Sequence, residues 1–171
     1  SEQWNRGAYL VQGPAHCGAC HSPRNVVGAI KPDLALSGGV YQDRVKFGYH
    51  RKWSAVNLTS ADTGLKSWSE QDIVDYLQYG VSDKAIVHGP MRDVVFGSME
   101  HLNQDDLKAI AVYLKSLTPI EHPAKPAIKE ETLRAGEIVY TVHCGSCHLP
   151  TGLGAEGLGV SLAGNPIVQA A

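Results

Sequence analysis

The sequence predicts a mostly α-helical protein built from two tandem units of one type, the second of them incomplete. The pentapeptide Cys-x-x-Cys-His occurs twice, at 17–21 and at 144–148, each time after a short segment that contains a glycine and bulky apolar residues. A proline-rich stretch separates the two copies. Internal repetition of this kind indicates duplicated domains.

The proline-rich stretch divides the chain into a first unit over 1–118, a linker over 119–126 and a second unit over 127–171. Proline lacks an amide donor and restricts the residue before it, so the linker is expected to be semi-extended. Only 23 residues follow the second pentapeptide, and they lack the periodicity of a closing helix. A unit of about 40 residues rarely stabilises itself, so we expect the second domain to be cut off.

Inside the first unit, capping residues predict two further helices. Ser69 precedes a helix over 70–79, which has acidic residues in its first turn and Gly80 as its stop. Asn103 precedes another, in which apolar residues recur at helical spacing until Pro119 forbids continuation. We expect this last helix to cross the first helix of the unit, with Trp4 and Tyr113 near the crossing. The stretch 26–62, rich in Gly, Pro and polar residues, is predicted to be loop.

The two pentapeptides are the attachment signature of c-type haem. Cys17, Cys20, Cys144 and Cys147 are all the cysteines of the chain. In this motif the two thiols bind the haem and the adjacent histidine, here His21 or His148, binds the iron. The fold class is therefore mostly α, as tandem class I cytochrome c domains with the second incomplete, and two covalent haems are expected.

Zinc and thiol chemistry are the alternatives, because a Cys-x-x-Cys pair also forms half of a zinc site or a redox-active dithiol. Each pair here carries its own histidine, and Cys144 lies 127 residues after Cys17, far beyond the usual gap between zinc-binding halves. Both observations favour haem.

Charge and composition restrict the class further. A net charge of −2 provides no basic field for nucleic acid, and no apolar run is long enough to span a bilayer. The first residues lack the pattern of a signal peptide. Covalent haem attachment in bacteria takes place outside the inner membrane, so we expect a processed or truncated periplasmic protein.

The sixth ligand of the first haem is predicted to be a methionine. Met91 follows Gly89-Pro90 in a predicted loop between two helices, whereas Met99, close to the cap of the last helix, is expected to pack there. Met99 remains the second candidate ligand, followed by His88 and His50. The metal ligands of the first haem are thus predicted to be His21 and Met91.

The second haem has His148 as its metal ligand and no Met or His after it. Three explanations are open for its sixth ligand. The ligand lies on a C-terminal segment that truncation has removed, it comes from elsewhere in the chain, or the iron is five-coordinate and has none. Arg24 is either a partner of a haem propionate or an ordinary surface residue, and Trp53 and Trp68 are expected in the wall of the haem pocket.

Several segments carry a resemblance to the cytochrome c subunits of bacterial membrane-bound dehydrogenases, which serve alcohol, gluconate, sorbitol, fructose and some aldehyde or N-heterocycle oxidoreductases. The segments are 4–11 with 16–25, 55–59 with 63–64, 68–70, 89–91 with 94–95, 107–117 and 162–166. The resemblance implies Met91 on the iron, and a chain that corresponds to the second haem domain and the start of the third.

The resemblance also implies a function. Electrons would pass from a dehydrogenase catalytic subunit to membrane quinone, an oxidase or another cytochrome, with membrane association only through partners or a missing anchor. The chain would then be a non-catalytic electron carrier without catalytic residues. The alternative is a dihaem, peroxidase-like enzyme with an open iron site at the second haem. A haem-based sensor is disfavoured because no output domain is visible.

Overall fold

The computed structural model describes residues 1–122, 127–155, 157–165 and 168. The helices are α1 (Glu2–Gln12), α2 (Gly18–His21), α3 (Glu70–Tyr79), α4 (Pro90–Gly97), α5 (Gln104–Lys115), α6 (Glu130–His143) and α7 (Gly145–His148). The strands are β1 (Gly39–Arg44) and β2 (His50–Ala55), paired in one antiparallel sheet. Helix is the predominant regular structure of the described part, in agreement with the predicted mostly α class.

Helices α1 and α5 cross closely, and the crossing organises the core of the first unit. Gly7 makes it possible, because a Cβ at this position would overlap the carbonyl oxygen of Ala109 and lie 2.7 Å from the Cβ of Tyr113. The indole of Trp4 meets the Tyr113 ring edge to face, with centroids 5.3 Å apart. The predicted crossing, with both aromatic residues beside it, is confirmed.

A buried carboxylate ties the same two helices together. Arg6 donates to the two oxygens of Asp106 at 2.6 and 2.8 Å. Asn103, the predicted N-cap of α5, accepts from the Asp106 amide at 2.8 Å. The hydrogen bond from Arg6 is the largest cause that lowers the pKa of Asp106 below its ordinary value, with burial acting in the opposite direction.

The lowered pKa of Asp106 predicts a pH-dependent contribution to stability. A carboxyl with a lower pKa in the folded state stabilises the protein above its unfolded pKa of about 4, and loses this effect as the pH falls through the folded value. We expect Asp106→Asn to lower the free energy of unfolding at pH 7, with a difference that shrinks as the pH falls from about 5 to about 3. Denaturant unfolding at several pH values measures it. Asp105→Asn, at an exposed position of the same helical turn, is the control and should show a smaller, flatter effect.

Helix α3 has the predicted boundaries. The hydroxyl of Ser69 accepts from the Asp72 amide at 3.0 Å, and the Asp72 carboxylate accepts in return from the Ser69 amide at 2.7 Å, which makes a capping box. Gly80 ends the helix in the left-handed conformation, with a φ of 72°. One face of α3 packs on α5 through its buried residues Ile73, Val74 and Leu77.

The prediction of loop over 26–62 was wrong for 39–55, which forms the β1–β2 hairpin. The strands escaped detection because neither has a buried face: most of their side chains are exposed. The hairpin begins where β1 passes close to the first pentapeptide. A Cβ at Gly39 would lie 2.5 Å from the carbonyl oxygen of Cys20, so only glycine fits at this approach.

The predicted linker begins on the surface of the first unit. The Ile120 amide donates to Thr59 Oγ1 at 3.1 Å, and the side chain of buried Asn57 donates to the Ile120 carbonyl at 2.9 Å. His122 Nε2 lies 2.5 Å from the carbonyl oxygen of Ser37. The rest of the predicted linker, 123–126, lies outside the described residues.

In the second unit, α6 leads into the second pentapeptide without being covered. No residue of α6 is buried, and Leu133, Ile138, Val139 and Val142 are exposed. A Cβ at Gly136 would meet nothing within 4 Å, in contrast to Gly7. Asn165, which is buried, donates to the Lys84 carbonyl at 2.9 Å and so contacts the first unit.

Among the described residues, no helix is long and apolar enough to cross a membrane.

Candidate haem-binding site

Both pentapeptides fold as a single helical turn. In the first, the amides of Cys20 and His21 donate to the Cys17 carbonyl at 3.3 and 3.0 Å. In the second, the amides of Cys147 and His148 donate to the corresponding carbonyl at 3.2 and 2.9 Å. Residues three and four positions apart share one face of a helix. The spacing of the motif therefore places the two thiols and the imidazole on the same side of each turn.

Each histidine of the two turns is oriented by a backbone carbonyl. His21 Nδ1 lies 2.8 Å from the Val56 oxygen, and His148 Nδ1 lies 2.8 Å from the Val160 oxygen. A carbonyl oxygen only accepts, so Nδ1 carries the proton in each ring. The other nitrogen, Nε2, is then left with the lone pair that binds a metal, in the arrangement typical of metal-ligating histidines.

Burial keeps the groups of the first turn uncharged. It lowers the pKa of His21, against the opposing effect of the hydrogen bond to Val56. Burial also raises the pKa of Cys17 to about 11. A neutral imidazole is the form that binds iron, and a buried, protonated thiol resists uncontrolled oxidation.

A zinc site shared by the two cysteine pairs finds no support in the geometry. All cysteines and histidines of the chain lie in the described residues, and in that part no three or more Cys, His, Asp or Glu side chains group as metal ligands. The donors of each turn are one histidine and two thiols that are free of disulfides.

The indole of Trp68 tests whether the first unit fits a haem. Trp68 is 6% exposed, and its Nε1 is buried with no hydrogen-bond partner among the described residues. An orphaned buried donor is costly and rare in a protein chain by itself. A haem carries two propionate carboxylates, which are acceptors, so a bound haem supplies the kind of group that this indole lacks. The first unit therefore fits the cofactor.

Replacing Trp68 gives a prediction that depends on this fit. In the haem-loaded chain, we expect Trp68→Phe to lower the free energy of unfolding by about 1.5–3 kcal/mol, the value of a hydrogen bond to a charged acceptor. Denaturant unfolding measures this. If Nε1 had no acceptor in the loaded protein, its removal would be close to neutral. Trp53→Phe is the control for dependence on haem: Trp53 Nε1 donates within the hairpin to Asp43 at 3.2 Å, so its loss should be the same with and without bound haem.

The two methionines lie in different environments. Met91 occupies the first turn of α4 rather than the predicted loop, with Gly89 as N-cap and Pro90 in the first turn. It is half-buried and packs against the edge of the core. Met99 is 5% exposed and belongs to the core itself. The packing role predicted for Met99 is thereby supported, and the half-buried Met91 is freer than Met99 to bind an iron.

The β1–β2 hairpin packs against the segment that carries Met91. A Cβ at Gly89 would lie 2.7 Å from the ring of Trp53, so the indole packs directly on this backbone. Gly89 has a φ of 57°, where side chains are strained.

Arg24, a candidate partner of a haem propionate, donates to the carbonyls of Gly28 and Ala19 at 2.6 and 2.9 Å. These two hydrogen bonds occupy its guanidinium within the first unit.

Sequence reasoning missed the groups that orient the histidines. Val56 and Val160 act through their carbonyl oxygens, which every residue has, so their side chains give no signal. The missing partner of Trp68 is equally invisible in a sequence, since only the packed structure shows which donors are left without an acceptor.

Comparison with known proteins points to one family. The chain is 40% identical over 95% of its length to the cytochrome c subunit of the quinone-dependent alcohol dehydrogenase of Gluconobacter oxydans. It is 38% identical over 86% of its length to the gluconate 2-dehydrogenase cytochrome c subunit of Pantoea cypripedii. A diheme cytochrome c-type protein of Cereibacter sphaeroides is 38% identical over 68% of the chain. The chain spans 36% of the length of each of these three relatives. No family model matches it.

The two oriented pentapeptide turns and these relatives define the class of protein: the chain is a c-type cytochrome. More specifically, its sequence is similar to those of cytochrome c subunits of bacterial dehydrogenases.

Proposed function

We propose that the chain is a dihaem electron carrier that relays electrons from a periplasmic dehydrogenase subunit to membrane quinone, an oxidase or another cytochrome. The observation that carries this proposal is the duplicated site: two pentapeptide turns, each with its histidine Nδ1 held 2.8 Å from a backbone carbonyl. When bound, each haem supplies an iron centre that changes between the ferric and ferrous states by one electron.

The residues of the first unit would bind and shield the cofactor. Cys17 and Cys20 provide the thioether links, and His21 provides Nε2 to the iron. We propose Met91 as the opposite ligand, because Met99 is packed in the core. A methionine ligand raises the reduction potential and saturates the iron, which suits electron transfer better than binding of oxygen or peroxide.

The second unit would hold its haem through Cys144, Cys147 and His148. The hydrogen bond from His148 to Val160 fixes the imidazole in the same tautomer as in the first unit. Both methionines of the chain belong to the first unit. We therefore assign only one iron ligand of the second haem, which is His148 of the pentapeptide. We propose the periplasm as the compartment, since covalent haem attachment in bacteria takes place there.

The partners follow from the named relatives, which are subunits of dehydrogenases. We propose that a dehydrogenase catalytic subunit delivers the electrons, and that this chain does no substrate chemistry itself. The domain division at 119–126 remains part of the proposal, with each unit holding one haem.

A potentiometric titration of the haem-loaded chain, followed by visible spectroscopy, tests the electron-carrier function. We expect two one-electron steps, with the first haem low-spin and unreactive toward carbon monoxide. Sustained consumption of hydrogen peroxide with a reduced donor would contradict the proposal and indicate the peroxidase-like alternative.

A further inference from the structure

The β1–β2 hairpin has two different faces, and one of them is tied to the first unit. Paired residues on antiparallel strands point to the same side. Asp43 and its partner Arg51 form an ion pair at 2.6 Å, and the guanidinium of Arg51 lies 5.2 Å from the centroid of the Trp53 indole. Trp53 packs on Gly89. On this face the charge of Arg51 is balanced by Asp43, and Trp53 attaches the face to the first unit.

The opposite face is basic and free. Arg44 pairs with His50, and Lys52 pairs with Gln42 in the register of the sheet, so these side chains share one side. Arg44, His50 and Lys52 are exposed. Within the described part of the chain, neither Arg44 nor Lys52 has an acidic group within 4.0 Å.

The tip of the hairpin presents aromatic rings to water. Phe47 is 94% exposed and has a φ of 69°, and Tyr49 is 72% exposed. A hydrogen bond of 2.8 Å from the Val45 amide to the Tyr49 carbonyl closes the tip. The positive φ of Phe47 and of Gly48 is what a tight hairpin turn requires. The exposure of two aromatic rings at the tip is the feature that requires an explanation beyond the fold.

The hairpin also concentrates positive charge on a chain that is negative overall. Arg44, Lys46, Arg51 and Lys52 outweigh Asp43, so 43–52 carries a charge of +3, whereas the whole chain has −2. An anionic surface therefore attracts the hairpin and repels the remainder of the molecule, which favours an approach with the hairpin first.

We propose that the hairpin is a membrane-contacting element, in which Phe47 and Tyr49 enter the interface of an anionic bilayer while Arg44 and Lys52 bind lipid phosphates. A tyrosine ring favours the headgroup level, and a phenylalanine ring favours the boundary with the acyl chains. Each Lys or Arg near an anionic surface strengthens binding by about fivefold. A protein partner fits less well. A stable protein interface buries about 800 Å² on each side around an apolar core, and a narrow convex tip with one fully exposed ring does not provide it.

This proposal stands independently of the electron relay. If both hold, membrane contact keeps the Gly89–Met91 side of the first unit close to the bilayer, because Trp53 of the hairpin packs on Gly89.

Vesicle co-sedimentation of the haem-loaded chain tests the proposal. We expect binding to vesicles of phosphatidylcholine mixed with phosphatidylglycerol, little binding to phosphatidylcholine alone, and weakening by high salt. Phe47→Asn removes the ring while keeping a residue that tolerates positive φ. It should weaken binding by about tenfold, and Arg44→Gln with Lys52→Gln should weaken it by about fivefold for each cation.

Matched controls come from other exposed positions. Val26→Ser removes an apolar side chain from a different loop, where Val26 is fully exposed, and Lys108→Gln removes an exposed cation from α5. Both controls should bind like the wild type, and unchanged haem spectra and melting curves establish that all variants are folded. Failure of the wild type to bind anionic vesicles, equal losses in hairpin and control variants, or binding of the hairpin to an acidic protein but not to vesicles would each overturn the proposal.

Discussion

Replacing Gly7 by alanine is expected to destabilise the haem-loaded chain by about 3 kcal/mol, the upper part of the range for overpacking in a well-packed core. The added Cβ would overlap the Ala109 carbonyl and crowd Tyr113, so α1 and α5 would have to move apart. Neither obstacle is the flexible end of a side chain. The crossing carries Trp4, Arg6 and their partners, and its displacement would affect all of these contacts.

Gly136→Ala provides the matched control for this prediction. Gly136 also lies within a helix that leads into a pentapeptide, but a Cβ there would meet nothing within 4 Å. Alanine is a better helix former than glycine by about 0.8–1 kcal/mol, so this variant should be as stable as the wild type or more stable. Guanidinium unfolding of both variants gives the comparison. Equal destabilisation by the two substitutions would show that close packing at Gly7 is not the cause.

Replacing each methionine by alanine should give two separate phenotypes. Met91→Ala is expected to remove the sixth ligand of the first haem, so that its iron becomes high-spin and binds carbon monoxide. The reduction potential of this haem should fall by on the order of 100 mV, since axial ligands set the potential over a wide range. Visible spectra and potentiometry measure both effects.

Met99→Ala should leave the spectrum unchanged and instead destabilise the fold by about 2–5 kcal/mol, the cost of a large-to-small change in a packed core. Met99 is in the core cluster with Leu107 and Ile110. The reverse pattern, with a high-spin haem in Met99→Ala and a normal spectrum in Met91→Ala, would refute the ligand assignment.

Local sequence signals predicted α1, α3 and α5 of the first unit, whereas α4 was predicted to be loop. Ser69 and Asn103 cap the helices that they were expected to cap, because an N-cap side chain acts within three residues of its own position. The α1–α5 crossing was also predictable, since its small and apolar residues recur at helical spacing. These features depend on neighbours in the sequence or on a simple periodic face.

The hairpin and the environment of the histidines could not be predicted in the same way. Strands are recognised by one buried face, and β1 and β2 have none, since most of their side chains are exposed. The carbonyls of Val56 and Val160 are brought to the histidines by tertiary structure from 35 and 12 residues away. No local pattern contains that information.

The most direct measurement of the central claim is the intact mass of the mature chain, taken together with two cysteine-pair variants. We predict two covalently bound haems in the wild type and one haem each in Cys17→Ala/Cys20→Ala and in Cys144→Ala/Cys147→Ala. Both turns have the same hydrogen-bonded geometry, so each should hold its haem without the other. A wild-type mass with fewer than two haems, or one in which free thiols hold zinc, would contradict the account.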